Sequence, residues 1–248
     1  MVLIILFKSF LALVSALFGA TTTFFIKLNH KKLCILISLS AGALLGAAAF
    51  VLLPESSQEL NVAEITLSVL SGYLIFWIIS RYYSHVCPAC SASHFDEQTT
   101  KKFSEIFLAL FTALAFHSLL DGVAISTGAL NNEEQSSIFA AILTHKFPEG
   151  LALASLMFGA GYTKVKVVSY TALVEATTLL GSLLGVFLLK EGISLFLMGI
   201  IMAHIAGGFI YLALHAVLGE MLRHHKILVI TSLLSGFLVI LFVHGIID

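Results

Sequence analysis

Phe116-His117-Ser118-Leu119-Leu120-Asp121-Gly122 and Thr144-His145-Lys146-Phe147-Pro148-Glu149-Gly150 are two polar interruptions in otherwise apolar runs. Both contain His-x-x-x-acid-Gly. The runs that carry them, roughly 104–129 and 137–160, are long enough for an α-helix to cross a bilayer core. Residues four apart share a helix face, so each run presents one imidazole and one carboxylate in the same direction. Ionisable groups at mid-membrane cost several kcal/mol unless paired, which makes all four functional candidates.

The rest of the chain fits that reading. Of 248 residues, 59% are apolar and 11% are charged, and the mean hydropathy is +1.04. A soluble domain carries about a quarter charged residues, so the main solvent is lipid. The net charge of −1 offers no basic stripe for nucleic acid. Three cysteines, two of them in one CxxC, do not make a disulfide framework. Eight spans are expected, at roughly 2–25, 33–53, 63–82, 104–129, 137–160, 166–189, 193–217 and 227–246. The expected fold is therefore an all-α integral membrane protein with one domain over 1–248. Span 1 has a small, A-x-A-like stretch at Ala16–Ala20, but it lacks a basic n-region and Lys8 interrupts it. It is read as a true helix and not as a signal peptide.

Charge placement orients the spans. Lys27, Lys31, Lys32, Arg81, Lys101, Lys102, Lys164, Lys166, Arg223 and Lys226 lie at odd-numbered loops, and Lys190 at an even one. The positive-inside rule then puts odd loops in the cytoplasm and both termini outside, in the plasma or inner membrane. Loops 2 and 4 carry Glu55, Glu59, Glu64, Glu133 and Glu134, either as solvated loops or as an outer vestibule for cations.

Depth follows from the rise of ~1.5 Å per residue. Asp121 and His117 lie about 12 and 18 Å below the outer end of span 4, and His145 and Glu149 about the same below that of span 5. Antiparallel neighbours thus bring four ligand-type side chains to one level, between spans 4 and 5. Two imidazoles and two carboxylates form an N2O2 set whose charge cancels a divalent ion. Such ligands suit Zn²⁺, Fe²⁺, Mn²⁺ or Co²⁺, whereas Cu(I) prefers thiolate or thioether. The bland alternative is a set of interhelical hydrogen bonds. Pro148 removes a backbone donor and is expected to bend span 5 at the site. Glu175 of span 6 lies about 21 Å from its outer end, near the depth of Glu149. Lys146 is expected to pair with Glu175 or Asp121.

At these residues the chain resembles the ZIP (Zrt-/Irt-like protein) family of zinc and iron transporters. The resemblance spans essentially the whole chain and includes Leu53-Pro54-Glu55 in span 2 and Gly207-Gly208-Phe209-Ile210-Tyr211 in span 7. In that family helix 4 carries His-Asn-x-x-acid-Gly and helix 5 His-[acid/Asn/Lys]-x-Pro-x-[Gly/acid]. The residue after each His serves a second metal in many members. Ser118 and Lys146 stand at those positions here. The resemblance therefore implies one metal site from His117, Asp121, His145 and Glu149, with Glu175 as the acidic residue of helix 6. Ser118 and Lys146 stand in for the second site. The implied activity is transport of a divalent metal toward the cytoplasm, Zn²⁺ first, with Fe²⁺, Mn²⁺, Cd²⁺ or Co²⁺ as alternatives. A homodimer is one assembly open to it.

Loop 3 (83–103) holds His85, Cys87, Cys90 and His94, which can complete a tetrahedral Cys2His2 set on the reducing side. Zinc capture at the cytosolic exit competes there with a redox role or none. His224-His225, His204, His215 and Glu220 are candidates for an exit relay, or ordinary polar residues. Gly42-x3-Gly46 and Gly181-x3-Gly185 allow close helix contact. Two other functions remain open on residues alone. One is an intramembrane zinc hydrolase, disfavoured by the absence of HExxH and of a spare general base. The other is a proton- or sodium-coupled carrier of an organic solute.

Overall fold

Hydropathy and caps decide where each helix starts and stops, and all regular secondary structure among the described residues is helical. The computed structural model describes residues 2–25, 30–83, 111, 114–126, 135–188, 194–221 and 226–247. Span 1 is the helix Val2–Thr22 with a 3₁₀ turn, Thr23–Phe25. Span 2 runs as His30–Ala47, a π turn at Ala48–Leu52 and Leu53–Glu59. Span 3 is Val62–Tyr83, and span 4 is described over Leu114–Ser126. Spans 5 to 8 are Gln135–Gly159, Lys164–Leu188, Leu195–Met221 and Lys226–Ile247. The segments Val2–Phe25, Cys34–Glu59, Lys164–Phe187 and Leu195–Leu214 are long and apolar enough to cross a membrane. Val62–Ile78, Leu114–Ser126 and Lys226–Phe242 are shorter apolar helices.

Span 2 differs from the sequence expectation, which ended it at residue 53. It continues to Glu59 because Pro54 falls in the first turn of a new helical segment, where a missing N–H costs nothing. The π turn just before it absorbs the change of register. The start of span 3 is a capping box. Asn61 Oδ1 accepts from the Ala63 and Glu64 amides at 3.0 and 3.1 Å, and Glu64 Oε2 accepts from the Asn61 amide at 2.8 Å. Glu64 is thus a cap for span 3, which favours the plainer reading of that loop-2 acid.

Spans 5 and 6 join through a tight reversal. Tyr162 donates its amide to the Met157 carbonyl and Gly161 to that of Phe158, both at 3.0 Å. Gly161 has φ 77°, the left-handed turn that closes a Schellman motif and that glycine adopts without strain. Glu149 and Glu175 lie about 18 and 21 Å from that turn along their helices. The short turn therefore sets them at one level.

Span 1 packs on spans 5 and 6, span 2 on spans 5, 7 and 8, and span 3 on span 7. Glycines make the closest crossings. A Cβ on Gly150 would collide with the Ala16 carbonyl, and one on Gly19 with that of Phe147, so spans 1 and 5 touch backbone to backbone. Gly181 meets the Leu119 carbonyl across spans 4 and 6, and Gly42 meets that of Leu233 across spans 2 and 8. Both glycine pairs read from the sequence are therefore packing surfaces. Replacing Gly150 by valine should push span 1 off span 5. The expected result is a loss of monodisperse protein in detergent by size exclusion, against an unchanged Gly245→Ala control, whose Cβ meets nothing within 4 Å.

The described outer faces are largely apolar, and the ionisable side chains midway along spans 4 to 6 are turned inward. Phe7, Phe18, Leu238 and Phe242 are more than half exposed, while His117, Asp121, His145, Lys146, Glu149 and Glu175 are all at most 2% exposed.

Candidate metal centre

His117 and Asp121 stand one turn apart on span 4, with Nε2 3.3 Å from Oδ2. Span 5 answers with His145, whose Nε2 lies 3.4 Å from Asp121 Oδ2, and with Glu149, whose Oε1 lies 2.9 Å from His117 Nε2. One ligand atom from each of the four falls within 4.8 Å of every other. A tetrahedral ion with bonds of about 2.0–2.2 Å needs ligand atoms roughly 3.3–3.6 Å apart. Small side-chain shifts close the difference.

The polar atoms here are poorly satisfied by the protein alone. Asp121 Oδ1 and His145 Nδ1 are buried with no hydrogen-bond partner among the described residues, while His117 Nε2 and Glu149 Oε1 face each other at 2.9 Å. Buried polar groups normally have a hydrogen bond, and leaving one unmade costs about 1–3 kcal/mol. Two imidazoles and two carboxylates gathered this closely in a buried place suit the ligands of a cation.

Lys146 is fully buried among the carboxylates. Its Nζ donates to Ser118 Oγ at 2.7 Å and to Glu149 Oε2 at 2.8 Å. It also lies 2.8 Å from Asp121 Oδ2 and 3.0 Å from Glu175 Oε2. Pairing was expected with Glu175 or Asp121; the ammonium touches both, and Glu149 as well. Three carboxylates and one ammonium leave two negative charges, which one divalent ion neutralises. Glu175 stands behind Lys146, outside the group of four.

Phe209 of span 7 is the residue that sequence reasoning passed over. Its ring centroid lies 4.5 Å from that of His117 and 5.0 Å from that of His145, and it is fully buried. It forms an apolar wall against both imidazoles. Gly207-Gly208-Phe209 was the available signal, since the two glycines bring span 7 close to span 3.

The other candidates fall elsewhere. His204 Nδ1 lies 2.8 Å from Ser71 Oγ of span 3, a satisfied interhelical contact. Span 5 continues as one helix through Pro148. His85, Cys87, Cys90 and His94, with His224 and His225, lie outside the described residues, as do the side chains of His215 and Glu220.

Comparison with known proteins agrees with this geometry. Residues 89–244 match the family model described as ZIP Zinc transporter. Zinc transporter ZupT of Chlorobium luteolum is 27% identical over 228 residues, 85% of each chain. The ZupT of Chlorobium limicola is 27% identical over 225 residues, 84% of each. An uncharacterized protein of Methanocaldococcus jannaschii is 27% identical over 179 residues, 72% of each. A polytopic helical chain, with paired His-x-x-x-acid motifs converging on one buried centre and most of its length matched by that model, belongs to the ZIP zinc transporter family.

Proposed function

We propose that this protein carries Zn²⁺ across the cell membrane toward the cytoplasm, through a site formed by His117, Asp121, His145 and Glu149. The observation that carries the reading is the convergence of these four buried ligand atoms, within 4.8 Å, from two helices. Glu175 balances Lys146, 3.0 Å from its ammonium. Imidazole and carboxylate also accept Fe²⁺, Mn²⁺, Co²⁺ and Cd²⁺, so these are competitors in the same assay. The family is one of transporters and not of enzymes, which sets the hydrolase reading aside. Both termini face outward in this proposal, following the lysine and arginine distribution.

Uptake of radioactive zinc into sealed proteoliposomes tests the reading directly. Zinc accumulation above empty liposomes supports it; accumulation equal to that of empty liposomes overturns it. With the protein oriented by a terminal protease site, the same vesicles report direction.

The loop-3 set gives a separate prediction. Cys87→Ser together with Cys90→Ser removes two thiolate ligands and should weaken zinc binding at the cytosolic face. Uptake should continue, because the intramembrane ligands remain. Complete loss of uptake would instead place the loop in the pathway or in the folding of the chain.

A further inference from the structure

A cavity of about 240 Å³ lies where spans 2, 5 and 8 meet. Leu39 and Ala43 of span 2, Phe147 and Pro148 of span 5, and Val239 and Ile240 of span 8 form most of its wall. Among the described residues that line it, Ser40 and Thr144 carry the side-chain hydroxyls, and Ser40 is turned to the Leu36 carbonyl at 2.9 Å. A bound water needs two to four polar partners, and a wall this apolar suits a hydrocarbon occupant better.

We propose that the cavity binds one acyl chain of a bilayer lipid, which buttresses the turn of span 5 that carries His145 and Glu149. Val239 at the rim is 54% exposed, and Leu238 and Phe242 on the same helix are more exposed still. The surroundings at that flank are therefore hydrocarbon. The volume holds about eight water-sized groups, which suits a flexible run of methylenes and excludes a helix from a second copy of the chain. Thr144, Phe147, Pro148 and Leu151 line the cavity, interleaved with His145 and Glu149, which face the metal centre. Pro148 withholds its amide from the helix ladder, so this turn has less internal support than its neighbours. Phe147 extends the contact to span 1, its ring 5.8 Å from that of Phe18. An acyl chain in the cavity thus bears on the ligand-carrying turn from the side opposite the metal.

The test uses full-length protein reconstituted with phosphatidylcholine bearing a diazirine midway along one chain. After irradiation, mass spectrometry of proteolytic peptides should find adducts within 143–151 and 236–240. Val239→Trp at the rim and Ala43→Phe in the wall should each reduce those adducts several-fold. Tryptophan at the exposed rim disturbs no buried packing, so it remains informative if the phenylalanine variant fails to fold. In matched vesicles, wild-type zinc uptake should change several-fold between saturated and mono-unsaturated chains, and Val239→Trp should lose that dependence. Adducts absent from these peptides, or unchanged by Val239→Trp, would overturn the proposal. So would cross-links joining this flank to a second copy, or, in a wild type that takes up zinc, uptake indifferent to the chains. Adduct mapping reads the cavity without reference to transport, so a failure of the zinc reading is distinguishable from a failure of this one.

Discussion

Alanine in place of His117 or Glu149 should abolish zinc uptake while the protein still inserts and folds. Insertion follows hydropathy, which neither change lowers. Each removes one of four ligands from a site with no spare donor among the four. Loss of even an outer partner of a metal ligand costs about 10–100-fold in affinity, so loss of a ligand should cost more than that. The two variants also differ in a useful way. His117→Ala keeps all three carboxylates on Lys146, whereas Glu149→Ala takes one of the three away. The second should therefore also lower thermal stability, because a buried ammonium loses a partner. Glu149→Gln, which keeps the shape, should restore part of that stability without restoring uptake. Uptake near wild type in either alanine variant, at matched protein in the vesicles, would remove these residues from the site.

The intramembrane centre of the wild-type protein should hold one metal ion, and the double variant Ser118→Asn, Lys146→Asp should hold two. Lys146 Nζ sits within 3.0 Å of oxygens from Ser118, Asp121, Glu149 and Glu175. That is the ligand environment of a small cation, already filled by one tethered to the protein. A second free ion would meet the ammonium at close range. At 4 Å and an effective dielectric near 20, a unit charge repels a divalent ion by roughly 8 kcal/mol before relaxation. Aspartate at 146 removes that charge and adds a carboxylate. The four acids then carry four negative charges, which two divalent ions cancel. Equilibrium dialysis or anomalous scattering, with Cys87 and Cys90 replaced by serine, counts the ions. Two ions at this centre in the wild type, or one in the double variant, would show that Lys146 does not hold the place of a metal. Lys146→Met is the control, expected to destabilise the protein by leaving three buried carboxylates without their shared cation.

Much of this was legible before any coordinates. Hydropathy placed the helices because a bilayer demands long apolar runs with internally satisfied backbones. The four-residue spacing put His117 with Asp121, and His145 with Glu149, because helix geometry is local. Equal depth in antiparallel spans then brought the pairs level, since rise per residue is constant. Gly42, Gly46, Gly181 and Gly185 marked close crossings because only a missing side chain lets two backbones touch. What the chain could not reveal by itself was rotation about each helix axis and the crossing of helices far apart in sequence. Those decided that Lys146 is shared among Asp121, Glu149 and Glu175. They also decided that Phe209, one of twenty phenylalanines, is the one against both imidazoles. His204 went to Ser71 on the same grounds. Each of these is a contact between helices, and its geometry depends on how every other face in the bundle is packed, which no local periodicity records.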